Sequence, residues 1–263
     1  MMENTLVKDG MKYDPNCVSE VSEPVEVIPL ERICTKWMDD KRKELRMSYG
    51  LHKKTWCQEG LTAGFAFTPP GHKQIFHYHK QSHEFTMCLT GKMRSILDKG
   101  DSKESFEISP GEIVHIHPKT MHTVENPYDS MCLNASVHIP NAYADFTRGK
   151  ITDPEFYKHA KIEKEHPEIS EHDWGTIYHY DILNNDYRYC IDFLFVEPGK
   201  TVELGDSKDS YIFVPKGTLE VDYDEGALRA EKNQLIVAEK DRRISLKNIS
   251  SHQAYLYRVY ENN

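Results

Sequence analysis

The chain has 263 residues, enough for one large or two small domains, and 38% of them are hydrophobic, which is ample for a core. Its formal net charge is −9 and its lysines and arginines form no unbroken cluster, so we expect no nucleic-acid partner. No stretch is long and apolar enough to span a membrane, and residues 1–16 lack the apolar segment of a signal peptide. Six scattered cysteines without a CxxC pair favour reduced thiols, so we expect a cytoplasmic protein.

The N-terminal part of the chain is the one place where a longer helix is expected. Residues 1–22 are polar, and we predict that they form an extended arm. Residues 29–48 carry apolar side chains at roughly helical spacing, which predicts an amphipathic helix. The apolar stripe consists of Ile33, Trp37 and Leu45.

A strand-rich region follows from residue 52 to about residue 140. Phe65 and Phe67 alternate with smaller residues, which is typical of a strand with one buried face. The region is punctuated by turn sequences that contain glycine or proline. Short strands at this spacing predict a sandwich or a barrel.

His77 and His79 are the most informative residues of this region. Side chains two residues apart point the same way on a strand and diverge on a helix, so the pair offers two imidazoles to one centre. The next strand brings Glu84, and a later strand brings His122. Three nitrogens and one carboxylate oxygen suit Fe, Mn, Ni, Co or Zn better than Ca or Mg. We therefore predict one divalent transition metal per chain, held by these four residues.

The chain changes character after residue 140 and then repeats itself weakly. Residues 141–175 are more polar, and Asp153-Pro154 is a good signal for the start of a helix. The sequence from Phe193 to Gly199 echoes that from Phe65 to Gly71, and Asn248 echoes Asn126. In this second copy the four ligand positions fall on Glu203, Gly205, Ser210 and Ile244, so we predict that it binds no metal.

Residues 71–91 resemble the first conserved motif of the cupin superfamily: a glycine, HxH, a glutamate and a second glycine at the family's spacing. Residues 111–126 resemble the second motif, with its leading glycine, its histidine ligand and its trailing asparagine. His117 stands where the family usually has proline, and Lys119 stands where it has glycine. The resemblance supports the four metal ligands but does not specify a reaction.

Together, the resemblance and the repeat imply an all-β bicupin with two lobes of the double-stranded β-helix (jelly-roll) type, a short helical N-terminal segment and a helical connector. We divide the chain into an N-terminal arm and helix (1–50), a metal-binding lobe (51–145), a connector (146–176) and a metal-free lobe (177–263). Cupin sheets leave an edge that relatives often pair, so a homodimer is also expected.

Other side chains near the motifs have weaker claims to a role. His115 and His117 share a face of the strand before His122, and we place them around the ligands or at the surface. His83 is expected at the surface. The alternation of side chains along its strand would let His138 point into the barrel interior, and this alternation is the only argument for placing it there.

The chemistry of such a site leaves alternatives open. Four protein ligands leave two neighbouring positions of an octahedral metal for a small oxygenated organic substrate, and Fe(II) can also take O2 there. Because iron dioxygenases are common among bicupins, the resemblance favours iron as the metal and a mononuclear non-haem iron dioxygenase as the activity. The alternative is an isomerase, lyase or decarboxylase in which the metal is a Lewis acid and Glu84, His117 or a tyrosine moves a proton. A third reading, from a different class, is a non-catalytic protein that binds a small molecule or sugar.

Overall fold

The computed structural model divides the chain into two compact units. The first consists of residues 1–17 and 34–165, and the second of residues 18–33 and 166–263. The structure describes residues 23–29, 35–37, 46–49, 57–58, 61–139, 146–148, 151–184, 187–205 and 209–261. The predicted arm over residues 1–22 lies outside the described residues.

Strands dominate the described residues. The first half contains β1 (Val25–Pro29), β2 (Thr35–Trp37), β3 (Arg46–Tyr49), β4 (Cys57–Gln58), β5 (Leu61–Thr68), β6 (His77–His79), β7 (His83–Thr90), β8 (Met93–Asp98), β9 (Lys103–Ile108), β10 (Ile113–Ile116), β11 (His122–Glu125) and β12 (Cys132–Ile139). The rest contains β13 (Phe146–Arg148), α1 (Pro154–Tyr157), β14 (Ile162–Lys164), β15 (Glu168–His172), β16 (Gly175–Asn184), β17 (Tyr187–Val196), β18 (Thr201–Gly205), β19 (Ser210–Lys216), β20 (Leu219–Tyr223), β21 (Gly226–Ala230), β22 (Gln234–Ala238), β23 (Arg243–Asn248) and β24 (Ala254–Glu261).

Each unit is built from two antiparallel sheets. In the first unit one sheet has the order β14-β10-β7-β12-β5-β3-β2, with β4 paired to β5, and the other has the order β13-β6-β11-β8-β9. The two sheets pack face to face, because a buried apolar cluster joins Val114 and Ile116 on the first to Leu97 and Val124 on the second. This is the layered arrangement expected of a jelly roll.

The second unit repeats the strand order of the first. Its sheets contain the orders β22-β19-β24-β17 and β18-β23-β20-β21, which match β10-β7-β12-β5 and β6-β11-β8-β9 strand for strand. Its core lies between these sheets and contains Leu194, Ile212, Leu246 and Leu256. The prediction of an all-β chain with two jelly-roll lobes is therefore confirmed, and the weak internal repeat corresponds to a repeated fold.

The helix predicted over residues 29–48 is not found in the described residues of that range. Thr35–Trp37 pairs with Arg46–Ser48 as an antiparallel hairpin, and β3 extends the sheet of the first unit by pairing with β5. For Thr35–Trp37, pairing with a neighbouring strand thus overrides the helical spacing of the sequence.

The segment predicted as a connector contributes strands to both units. β13 pairs with β6 and β14 pairs with β10 in the first unit, whereas β15 pairs with β16 in the second. The helix predicted after Asp153 is present but has only four residues, and the Asp153 side chain caps it by accepting a hydrogen bond from the backbone N–H of Glu155. Among the described residues no helix is long and apolar enough to cross a membrane.

Candidate metal centre

The four predicted ligands come from the two facing sheets of the first unit. His77 and His79 lie on β6, and His122 lies opposite His77 on the neighbouring strand β11. Glu84 lies near the start of β7 in the other sheet. The antiparallel pairing of β6 with β11 brings three imidazoles together, and the packing of the two sheets adds the carboxylate.

These four side chains form a compact, buried group. One donor atom from each lies within 4.8 Å of the others. The ring centroids of His77 and His122 are 4.3 Å apart, and none of the four residues is more than 5% exposed. Burying three imidazoles and a carboxylate costs free energy unless hydrogen bonds, opposite charges or a metal ion compensate for the lost water. The donor set fits one divalent transition metal ion.

Hydrogen bonds to the backbone fix the tautomers of two of the histidines. His77 Nδ1 donates to the carbonyl oxygen of Ile75 at 2.9 Å, and His122 Nδ1 donates to that of Thr120 at 2.8 Å. A carbonyl oxygen can only accept, so Nδ1 of each ring carries a proton. The Nε2 lone pair of each ring is left for a metal.

Glu84 is held by hydroxyl groups on one oxygen and presents the other to the histidines. Oε1 accepts hydrogen bonds from Thr86 and Ser136, both at 2.8 Å. Oε2 lies 2.9 Å from His122 Nε2 and 3.3 Å from His79 Nε2. The two hydroxyls therefore orient the carboxylate so that one oxygen can act as a ligand.

The protonation states of the group also suit a metal. Burial, assisted by the neighbouring His122, lowers the pKa of His77 well below its ordinary value, and burial likewise lowers the pKa of His79. Burial alone would raise the pKa of Glu84, but His138 and His122 together hold that pKa well below its usual range. Near neutral pH His77 and His79 are thus neutral imidazoles and Glu84 is a carboxylate.

His138 lies beside this group, in agreement with the alternation of side chains along its strand. It pairs with Glu84 between β12 and β7, and its Nε2 lies 3.6 Å from Glu84 Oε2. Its ring centroid lies 4.8 Å from that of His79. His138 is therefore a fifth titratable side chain at the site, placed where it can contact a bound ligand.

The structure does not bring His117 to the four-residue group. In the pairing of β10 with β7, Ile116 lies opposite Glu84 and His115 lies opposite Phe85. His115 therefore leaves the sheet on the face opposite to Glu84, and His117 stacks on His115 at 4.1 Å. The predicted role of His117 as a proton-transfer residue at the metal lacks the required proximity.

The turn that precedes His122 has the backbone shape that the family's glycine would give. Lys119 has a φ of 61°, in the left-handed region that favours glycine. Its backbone N–H donates to the carbonyl oxygen of His79 at 2.6 Å, which ties this turn to the histidine strand. Lys119 therefore replaces the motif's glycine without changing the backbone conformation of the turn.

The second unit has apolar residues where the first has two of its histidines. Leu204 and Ile244 lie opposite each other on β18 and β23, as His77 and His122 do on β6 and β11, and both are buried in the core. The sequence comparison had placed Glu203 at the position of His77. In the structure Leu204, one residue later, corresponds to His77, and the exposed Glu203 lies outside the barrel interior.

A buried polar network replaces the carboxylate of the first unit. Ser210 lies opposite Tyr260 on β24 as Glu84 lies opposite His138 on β12, so Ser210 takes the place of Glu84. Its hydroxyl accepts a hydrogen bond from the Arg258 guanidinium at 3.0 Å, and Arg258 also pairs with Asp192 at 3.4 Å. A fixed cation thus lies near this place in the second unit.

Comparisons with known proteins match the first unit at the level of sequence. The family model described as Cupin domain matches residues 65–137. Over 76 residues the chain is 38% identical to an uncharacterized protein of Methanocaldococcus jannaschii. That match covers 29% of this chain and 58% of the relative.

Solved structures match both units at the level of fold. Vicilin from Solanum lycopersicum has a TM-score of 0.66 at 12% identity, with 89% of this chain and 84% of that chain covered. An oxalate decarboxylase from Lactobacillus farciminis, in a formate complex, has a TM-score of 0.63 at 10% identity, with 95% and 89% covered. An oxalate decarboxylase from Bacillus subtilis has a TM-score of 0.64 at 11% identity, with 95% and 80% covered. At these identities the likeness establishes the fold alone.

Proposed function

We propose that this protein, a bicupin of the cupin superfamily, is a metal-dependent enzyme that acts on a small oxygenated organic substrate. The observation that carries the proposal is the buried group of three histidines and one glutamate, whose donor atoms lie within 4.8 Å of one another. In this proposal the ligands of one divalent transition metal are His77, His79, Glu84 and His122.

Each ligand has a role that its surroundings support. The backbone carbonyls that accept from His77 and His122 hold those rings with Nε2 directed away from the protein backbone. The hydroxyls of Thr86 and Ser136 hold the carboxylate of Glu84. A metal bound here would polarise the oxygens of a substrate and, as Fe(II), could also take up O2. The burial of all four ligands keeps bulk water from the centre.

In its finer form the proposal is an iron-dependent dioxygenase. A donor set of mixed imidazole and carboxylate groups suits Fe(II) as well as Mn, Ni, Co and Zn, and four protein ligands leave coordination capacity for substrate and O2. The substrate would bind through two neighbouring oxygens, as a catechol, a diketone or a hydroxy-acid does.

A decarboxylase, lyase or isomerase is the second candidate, and one observation favours it. His138 lies 3.6 Å from Glu84, where it could give or take a proton from a substrate at the metal. The fold likeness to two oxalate decarboxylases agrees with this reading, which needs no O2.

The first experiment is elemental analysis of protein purified without added metal, followed by O2 consumption of the Fe(II)-loaded protein with catechols, diketones and hydroxy-acids. About one iron per chain with substrate-dependent O2 uptake supports the dioxygenase. Substrate turnover without O2 uptake supports the second candidate. A chain that takes up no metal would overturn both and leave a non-catalytic binding protein.

Variants test the ligand assignment itself. His77→Ala and His122→Ala should each abolish metal binding at the barrel centre while the fold is kept, because each removes one of four ligands. His159→Ala, at an exposed position near α1, is the matched control and should bind metal normally. Unchanged metal content at the centre in both ligand variants would refute the assignment.

A further inference from the structure

Three histidines outside the barrel interior form a second group with metal-ligand geometry. His83, His115 and His117 each offer one ring nitrogen, and these atoms lie within 4.8 Å of one another. His83 Nδ1 is 2.8 Å from His115 Nε2, and the rings of His83 and His117 are 5.4 Å apart. Nitrogens bound to one tetrahedral ion at about 2.0 Å lie roughly 3.3 Å apart, so only small side-chain movements would be needed.

This group, which we call the outer histidine group, is separated from the barrel centre by strand β7. His83 and Glu84 are consecutive on β7, so their side chains leave the strand on opposite faces. Unlike the barrel ligands, these three histidines are only partly buried, and the side chains of His115 and His117 are 13% and 24% exposed. An ion can therefore reach them from solvent.

Two of the three histidines donate a ring N–H to a carboxylate, as metal-binding histidines usually do. His115 Nδ1 donates to Glu165 at 3.0 Å, and His117 Nε2 donates to Glu163 at 2.6 Å. A histidine that donates one ring N–H to a carboxylate keeps the lone pair of its other nitrogen for a metal, with its ring orientation fixed. For His115 that nitrogen is Nε2, the one that faces His83.

We propose that the outer histidine group is a second binding site for a divalent transition metal such as Zn2+, which shares no ligand with the barrel centre. Three imidazoles suit Zn2+, Cu2+ or Ni2+ and do not suit Mg2+ or Ca2+. Three protein ligands leave one position of a tetrahedral ion for water or an external ligand. The chain then binds two metal ions, both in the first unit.

The test is calorimetric titration of metal-stripped full-length protein with Zn2+. The unaltered protein should bind two equivalents, and His77→Ala/His122→Ala should keep one of them. In that double variant, further change of His115→Gln or His117→Ala should weaken the remaining binding by more than about 100-fold, because each removes a ligand. Glu165→Gln should weaken it by about 10- to 100-fold, the usual effect of losing a carboxylate partner. The added change His166→Ala, at an exposed histidine nearby, is the control and should leave it unchanged.

A second arm uses the single variants His115→Gln and His117→Ala with the barrel ligands intact, in case the double variant does not fold. Each should lose one of the two equivalents and keep the far-ultraviolet circular dichroism of the unaltered protein. The proposal is overturned if neither change reduces Zn2+ binding, whether the unaltered protein binds one equivalent or two. A single equivalent that both changes remove would instead place the ion at the outer group and count against the barrel centre.

Discussion

Asn126 and Asn248 share three hydrogen bonds in their respective units, and Asn248 accepts a fourth from the Ser250 hydroxyl. The side-chain amide of each donates to the carbonyl oxygen of the residue four positions further along, at 2.7 and 2.8 Å. Each also donates to the last residue of an inner strand, Thr68 in β5 and Val196 in β17, at 2.8 Å. Each side-chain oxygen accepts from the backbone N–H two residues on. The repeat therefore extends from strand order to the bonds of a single side chain.

Removal of either asparagine should destabilise its own unit. Asn126→Ala deletes three hydrogen bonds and Asn248→Ala deletes four, each at a fully buried position, which we expect to cost about 3 kcal/mol or more. Hydrogen exchange resolved by unit would measure this as a loss of amide protection of roughly 100-fold or more. A loss below about 1 kcal/mol in both variants would show that these bonds do not hold the turns.

The hydroxyls that hold Glu84 should tune the affinity for metal. Thr86→Val and Ser136→Ala each remove a donor to Oε1, which raises the pKa of Glu84 and loosens its orientation. We expect each to weaken metal binding at the barrel centre by about 10- to 100-fold, measured by calorimetric titration. Thr68→Val is the matched control, because Thr68 is buried in the same unit and donates to Asn134. Equal losses in all three variants would contradict a specific role for the two hydroxyls.

The stability of the second unit should decrease in mildly alkaline solution. Asp192 accepts a hydrogen bond from His179 Nδ1 at 2.7 Å and raises the pKa of His179 from 6.5 to about 10. The folded state therefore retains a proton that the unfolded state releases, so this stabilisation is complete below pH 6.5 and is lost as the pH rises to about 10.

Urea unfolding monitored between pH 6 and pH 10 would measure this dependence. His179→Gln should flatten the decline, whereas the control His172→Gln, at the exposed end of the neighbouring strand β15, should not. A pH profile that is the same in all three proteins would mean that the His179 pair does not contribute.

Replacement of Lys119 by glycine in the turn before His122 should increase the stability of the first unit. Lys119 has a φ of 61°, which costs a residue with a side chain about 1–2 kcal/mol, and glycine loses part of that gain through its freer unfolded state. Lys119→Gly should therefore stabilise the first unit by up to about 1 kcal/mol in thermal or urea unfolding. Asp241→Gly is the control: Asp241 has a φ of 62°, and aspartate tolerates this conformation, so the gain should be smaller. A destabilised Lys119→Gly would mean that the lysine side chain is needed.

The sequence was sufficient to predict the four residues at the barrel centre. Side chains two residues apart point the same way on a strand and not on a helix, which pairs His77 with His79, and the motif adds Glu84 and His122. The repeated glycines and asparagines likewise mark turns whose geometry depends on one residue. Gly91 has a positive φ, and a side chain there would meet the backbone oxygen of Met131. Such local requirements can be read from a single chain.

Features that depend on pairing between distant strands could not be predicted. The position of His138 beside Glu84 depends on the register of β12, which shifts between Leu133 and Asn134. The pairing of Thr35–Trp37 with β3 depends on β5, which lies further along the chain and pairs with β3, so the helical spacing of residues 29–48 is misleading when considered alone. The face of the sheet on which His115 lies, with His117 stacked on it, depends on the register of β10 with β7, which places Ile116 opposite Glu84.

Strand β7 has Glu84 on one face and His83 on the other, so one short piece of backbone forms a wall of both groups of histidines. Any shift of this strand alters the ligand geometry on both faces at once. If an ion on the outer face changes the affinity of the barrel centre by some factor, thermodynamic linkage requires that an ion at the barrel centre change the outer affinity by the same factor. Metal supply at the surface would then set the occupancy of a centre that the outer ion never touches.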